Sequence, residues 1–94
     1  MDKDLIMDKK HKIIMIFAEG CPKCESMKES IYTVASNEHI EVEIEGYDCD
    51  DSASLDVAIE NSITDIPGCK IGATVIEGED FDHLDIARAI KKLA

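Results

Sequence analysis

The hydrophobic and polar positions of the chain predict alternating strands and helices. The stretch 12–18 is an almost unbroken apolar run, which is typical of a buried parallel strand. Residues 40–45 alternate strictly between apolar and acidic, which predicts an edge strand with one face in water. The segment between them predicts a helix that ends near Asn37. The apolar stripe of this helix comprises Met27, Ile31 and Val34.

The second half of the chain continues this alternation with shorter elements. A polar loop over 47–52 leads into a second predicted helix, and Pro67 then interrupts the chain ahead of two short strands at 69–71 and 74–76. A third helix is predicted from Asp82 onwards. The inner face of the second helix is expected to carry Leu55, Ala58, Ile59 and Ser62, and that of the third Leu84, Ala87, Ile90 and Leu93 or Ala94.

Together these elements indicate an α/β fold built on a small mixed sheet. A βαβ unit with a right-handed, parallel crossover is followed by a ββα unit, which gives four strands with helices on both faces. Residues 1–11 show no clean period, so we expect a loosely ordered leader there. Residues 12–94 then form a single domain.

Composition narrows the classes of function. Ten basic and 21 acidic side chains give a formal net charge of −11, which opposes binding to nucleic acid or to anionic membranes and favours basic partner surfaces. The acids can equally serve solubility alone. The sequence shows neither a membrane-spanning run nor a secretory signal, so we expect a cytoplasmic monomer. In that reducing compartment, four cysteines indicate redox or metal chemistry rather than structural disulfides.

Two cysteines three positions apart, Cys21 and Cys24, stand where the first strand gives way to the first helix. The free N–H groups and positive dipole end of a helix stabilise a thiolate, so Cys21 is the expected nucleophile. Cys24 lies one turn further on and can close a disulfide with Cys21, so that the pair transfers two electrons. The same spacing also occurs in zinc sites.

This order of elements, with the dithiol after the first strand and Ile66-Pro67 before the third, resembles the thioredoxin fold over residues 12–93. Three motifs are similar to those of glutaredoxins. Residues 17–24 look like the active-site strand and turn, 62–67 like the segment that ends in the cis-proline, and 71–81 like the hairpin and glycine-aspartate turn. The resemblance implies a thiol-disulfide oxidoreductase that reduces protein or glutathione mixed disulfides without a tightly bound cofactor.

The resemblance also implies roles for individual residues. Cys21 and Cys24 are the catalytic pair, and the Ile66 amide and carbonyl are available to pair with an extended substrate. Electrons come either from glutathione or from a reductase protein. The substrate-binding residues implied are Pro22, Lys23, Ile66, Pro67, Gly78 and Asp80.

Several positions depart from these families. Met15 stands where thioredoxins carry a buried aspartate, and Lys23 stands where glutaredoxins carry a tyrosine. Glu77 and Glu79 add carboxylates where a glutathione carboxylate would dock, which opposes glutathione binding.

Two alternatives of other classes stay open. The first is a soft-metal carrier that binds zinc or copper through the two cysteines, and a cluster that also includes Cys49 and Cys69 is topologically conceivable. Cys69 is, however, expected to be a core residue. The second alternative is a non-catalytic interaction domain that keeps the fold, because fold does not determine function.

Overall fold

The computed structural model describes residues 10–93 and contains seven regular elements. Residues 1–9 of the predicted leader and Ala94 lie outside the described residues, and His11 already belongs to the first strand. The strands are β1 (His11–Phe17), β2 (Val42–Asp48), β3 (Gly68–Ile71) and β4 (Thr74–Glu77), and the helices are α1 (Pro22–Asn37), α2 (Ser52–Glu60) and α3 (His83–Lys91). None of the described helices is long and apolar enough to cross a membrane.

The four strands form one mixed sheet in the order β2-β1-β3-β4. β1 runs parallel to β2 and antiparallel to β3, and β3 runs antiparallel to β4. This arrangement confirms the predicted fold class and places β2 at an edge. β2 extends further than expected, because Tyr47 and Asp48 pair with Ile16 and Phe17 of β1 instead of forming a loop.

α1 and α3 pack together against one face of the sheet. The apolar stripe predicted for α1 is confirmed at Met27 and Ile31, which are completely buried, whereas Val34 is only half-buried. The two helices and the sheet enclose one core cluster, whose largest members are Ile13, Met15, Met27, Ile31, Ile71, Ile86 and Ile90.

The inner face of α3 differs from the prediction at its first turn. Leu84 is 60% exposed and Ala87 is half-buried, whereas Ile86, Ala89 and Ile90 are buried. Ile86 and Ile90 lie four residues apart, so they share a face, and Leu84 lies on the opposite side of the helix. The prediction of Ile90 on the inner face was correct, and that of Leu84 was wrong.

α2 covers the other face of the sheet, and its predicted inner face was also wrong. Leu55 is 66% exposed and Ile59 is 68% exposed. The buried residue of this helix is Ser54, whose hydroxyl donates to the Asp51 carbonyl over 2.7 Å. Ala58 is half-buried beside it. The small side chains therefore face inwards, and the two large apolar side chains stay in solvent.

Candidate active site

The last residues of β1 and β2 and the first residue of β3 lie at the same end of the sheet. Cys49 follows β2 and donates its amide to the Phe17 carbonyl over 2.8 Å, which ties the two strand ends together. Gly68, at the start of β3, pairs with Ile16 of β1. Cys21 follows the same end of β1, and residues 64–67, here called the proline loop, lead into β3. The topology therefore brings the dithiol and the proline loop to this end of the sheet.

Cys21 caps the N-terminus of α1. Its backbone is extended, with φ −96° and ψ 110°, and its Sγ accepts a hydrogen bond from the Cys24 amide over 3.1 Å. Pro22 begins the helix, where its missing N–H leaves no partner unsatisfied. The Cys21 side chain is half-buried and Lys23 is exposed. The hydrogen bond from the Cys24 amide fixes the Cys21 sulfur at the start of α1.

Cys24 occupies a different environment. It is 4% exposed, belongs to the core cluster, and its Sγ accepts a hydrogen bond from the Ala18 amide over 3.5 Å. Burial, together with a hydrogen bond to Cys21, raises the pKa of the Cys24 thiol to about 11. Cys24 therefore keeps its proton at neutral pH, whereas Cys21 is the accessible member of the pair.

The Ile66–Pro67 peptide bond is cis, and Pro67 is fully buried. Ile66 is half-buried and packs against the same core cluster as Cys21. The Ile66 amide, which the resemblance makes available to a substrate, donates to the Asp65 carboxylate over 2.9 Å. A substrate strand that uses this amide must first displace the Asp65 side chain.

Glu77, the last residue of β4, binds the segment that precedes Pro67. Its carboxylate accepts hydrogen bonds from the Thr64 amide at 2.7 Å, the Thr64 hydroxyl at 3.0 Å and the Asp65 amide at 3.2 Å. Sequence reasoning treated Glu77 only as an unfavourable charge. Its partners lie 12 and 13 residues away in sequence, so no local pattern indicates this role.

The turn at Gly78 and Asp80 closes on itself and on the proline loop. The Gly78 amide donates to the Pro67 carbonyl over 2.8 Å, and the Gly78 carbonyl accepts from Phe81. A Cβ on Gly78 would lie 3.2 Å from an Asp80 oxygen and 3.4 Å from an Asp65 oxygen. Two carboxylates thus flank the glycine, and its amide is already engaged by the Pro67 carbonyl.

The solved structures that are similar to this one include the following three. An uncharacterised thioredoxin-like protein from Clostridium perfringens superposes with a TM-score of 0.65 at 20% identity, over 95% of this chain and 77% of its own. Thioredoxin 1 from Thermosipho africanus gives 0.58 at 22% identity, over 87% and 92% of the two chains. Oxidised thioredoxin from Plasmodium falciparum gives 0.57 at 21% identity, over 99% and 90%. No family model matches the chain, and no curated protein matches it significantly.

The chain has a thioredoxin-like fold. The predicted resemblance to the thioredoxin fold is thereby confirmed, and the observed sheet order is that of the predicted βαβ and ββα halves. At this level of identity the likeness concerns the fold, and the chemistry has to be argued from the residues.

Within this thioredoxin-like fold, Cys24 is one of the residues that line a cavity of about 270 Å³. Met15, which replaces the aspartate expected from thioredoxins, lines the cavity and is 2% exposed. Glu25 and Lys28 of α1 line the same cavity. The charged residues that line this cavity are therefore Glu19, which precedes α1, and Glu25 and Lys28 within it, whereas β1 contributes apolar residues.

The other two cysteines of the thioredoxin-like domain differ in their burial. Cys69 is completely buried, burial raises its pKa to about 12, and its predicted place in the core is confirmed. Cys49 is half-buried, and its pKa is raised by burial and by Asp50 and Asp48. Over residues 10–93, these three neighbours, 48–50, form the one group of three or more potential metal ligands within 4.8 Å. A ready-made cluster of the four thiols is therefore absent from the described residues.

A shallow groove of about 380 Å³ runs beside the site, between α2 and the proline loop. Its lining includes the exposed side chains of Leu55 and Ile59 and the half-buried Ile66. Cys49 and Asp65 also line it. Sequence reasoning missed this groove because it assigned Leu55 and Ile59 to the core.

Proposed function

We propose that this protein is a dithiol-disulfide oxidoreductase that reduces disulfides in other proteins. The observation that carries the proposal is the asymmetry of the two sulfurs. Cys21 is accessible and receives an amide N–H at the start of α1, whereas Cys24 is buried and held as a thiol. One sulfur is thus placed to attack and the other to wait.

The reaction proceeds in two exchange steps. The Cys21 thiolate attacks one sulfur of the substrate disulfide, forms a mixed disulfide and releases the first substrate thiolate, which takes up a proton from water. Cys24 then loses its proton and attacks the Cys21 sulfur, which releases the second substrate thiol and forms the Cys21–Cys24 disulfide. Two electrons pass to the substrate, and the protein ends oxidised.

The mixed disulfide itself favours the second step. Burial is the largest cause of the raised Cys24 pKa, but a hydrogen bond and a charge interaction with Cys21 add to it. Both contributions disappear once the Cys21 sulfur is bonded to the substrate. The loss of these two contributions lowers the Cys24 pKa, whereas the contribution of burial remains.

In this proposal the substrate chain lies across Pro22, Lys23 and the Ile66–Pro67 loop. The electron donor is a reductase protein rather than glutathione. Glutathione carries two carboxylates, and the turn where it would dock presents Asp65 and Asp80 beside Gly78. The sulfur chemistry needs no resident cofactor.

The role of each cysteine is tested by trapping. Cys24→Ser, incubated with a protein disulfide, should accumulate a covalent mixed disulfide through Cys21, detected by non-reducing electrophoresis and peptide mass mapping. Cys21→Ser should form no adduct and should lose disulfide reductase activity. Cys49→Ser is the matched control and should trap nothing while keeping activity. Adducts formed through Cys49 in the Cys24→Ser protein would overturn the assignment.

The electron donor is tested by following NADPH consumption in two coupled assays. One contains oxidised protein with glutathione and glutathione reductase, and the other contains oxidised protein with thioredoxin reductase. We expect turnover with thioredoxin reductase. Turnover only with glutathione would identify a glutaredoxin. Failure of both assays, combined with stoichiometric tight binding of zinc or copper(I), would favour the soft-metal carrier instead.

A further inference from the structure

The charges of the molecule are segregated along the length of its strands. The end of the sheet that holds the dithiol also holds many acidic residues. They lie at or after the last residues of β1, β2 and β4 and in the proline loop, and they are Glu19, Asp48, Asp50, Asp51, Asp65, Glu77, Glu79 and Asp80. Most of these side chains are exposed. A large part of the net charge of −11 is thus concentrated around the site.

Basic residues gather at the opposite end. Lys10 and Lys12 lie at the start of β1, and Lys91 at the end of α3 approaches Glu38 at the end of α1 over 4.0 Å. Arg88 and Lys92 belong to the same end of α3. At the dithiol, the described residues provide Lys23 between the cysteines, with Lys28 further along α1. The opposite end also carries Glu38, Glu41 and Glu43, so its charge is mixed, whereas the end that holds the dithiol is predominantly acidic.

The apolar groove opens into this negative field. Leu55 and Ile59 present two large apolar side chains to solvent within it. Asp65 lines the groove directly, and Asp50 adjoins the lining residue Cys49. Such a surface suits an apolar side chain that is flanked by cations, and it repels an anionic segment. A second copy of this chain is a poor occupant, because it carries the same net charge of −11.

We propose that the substrates of this oxidoreductase are disulfides in basic polypeptide segments, with an apolar residue that seats on Leu55 and Ile59 and neighbouring lysines or arginines that face the carboxylates. This inference rests on the proposed function and specifies its substrate class. Charge clusters of this kind raise association rates by about 10-fold to 1,000-fold at low salt, and the gain falls steeply with ionic strength. The selectivity should therefore appear in the second-order rate constant.

The test uses two synthetic peptides with the same intramolecular disulfide and the same apolar neighbour, one flanked by lysines and the other by glutamates. At about 0.01 M ionic strength the lysine peptide should be reduced at least about tenfold faster. At about 1 M, where the Debye length is about 3 Å, the two rates should converge. Rates come from thiol release under single-turnover conditions with pre-reduced protein.

Two double variants locate the effect. Asp50→Asn with Asp65→Asn removes one charge that adjoins the groove and one that lines it, and should reduce the lysine preference several-fold. Glu41→Gln with Glu43→Gln removes the same charge from exposed positions at the far end of the sheet and should preserve it. Circular dichroism confirms that both proteins are folded.

The outcomes separate this inference from the proposed function. Equal rates for the two peptides at low salt, or a preference that does not change with salt, would overturn the substrate class and leave the oxidoreductase standing. An equal loss of preference in the two double variants would overturn the local origin of the selectivity. If the protein reduces neither peptide at any ionic strength, the proposed function itself fails.

Discussion

The two faces of the sheet use the same types of residue for different purposes. On one face, α1 and α3 bury long apolar side chains such as Ile31 and Ile86 completely. On the other face, α2 turns Ser54 inwards and leaves Ile59 two-thirds exposed in the groove that Ile66 also lines. The first face holds the fold together, and the second leaves room for another molecule. Apolar residues at helical spacing thus form a core in one place and the lining of an exposed groove in the other.

The largest expected contrast is between Ile31→Ala and Ile59→Ala. Removing a fully buried isoleucine side chain should lower the free energy of unfolding by about 2–5 kcal/mol. Removing an exposed one should change it by less than about 0.5 kcal/mol, because little apolar area leaves the interior. Urea denaturation of the two variants gives both numbers. Similar losses would mean that Ile59 supports the fold, and the distinction between the faces would collapse.

The second prediction concerns Gly68, where the proline loop joins β3. A Cβ there would lie 2.6 Å from the Asp65 carbonyl oxygen and would collide with Ile63. Gly68→Ala should therefore lower the free energy of unfolding by about 1–3 kcal/mol, as overpacking does. It should also displace the loop and slow disulfide reduction. Unchanged stability and rate would show that the loop can move freely beside the site.

Much of this arrangement could be predicted from local sequence. The continuous apolar run of β1, the stripe of α1 and the cysteine pair are each specified within a few residues. The cis bond at Pro67 follows from a motif that the thioredoxin fold shares. These features need little information from distant parts of the chain.

The features that escaped prediction depend on distant packing. In α2, Leu55 and Ile59 are four residues apart, and so are Ser54 and Ala58, so periodicity allows either pair to face the sheet. Hydrophobicity favours the larger pair, but the structure buries the smaller one. The Glu77 contacts with Thr64 cross from β4 to the proline loop and leave no local signature.

A smaller effect should separate two neighbouring glutamates on the turn. Glu77→Ala removes three hydrogen bonds that hold residues 64 and 65, and it should lower the free energy of unfolding by about 1–2 kcal/mol. Glu79→Ala removes an exposed carboxylate of equal charge and should change it by less than about 0.5 kcal/mol. Amide hydrogen exchange should accelerate at Thr64 and Asp65 only in the first variant. Equal changes in stability and amide exchange in the two variants would show that Glu77 contributes only its negative charge.

A further contrast concerns the thiols at alkaline pH. In the folded, reduced protein the pKa of Cys69 is raised to about 12 and that of Cys24 to about 11, while an unfolded chain releases these protons near pH 8.5. Between these values the folded state binds more protons than the unfolded state. Its free energy of unfolding should therefore fall as the pH rises above about 8.5, as proton linkage requires.

Single cysteine variants measure how much each thiol contributes to this decline of the free energy of unfolding with pH. Urea denaturation between pH 8 and 11, in the presence of reductant, should show a shallower decline for Cys69→Ala than for the native protein, because the thiol buried in the packed core is gone. Cys24→Ser should show an intermediate decline. Cys49→Ser, which alters a half-buried thiol beside the open face, should change the slope least. If Cys49→Ser flattened the slope most, burial would not govern these thiols, and the division between a packed and an open face would not extend to their chemistry.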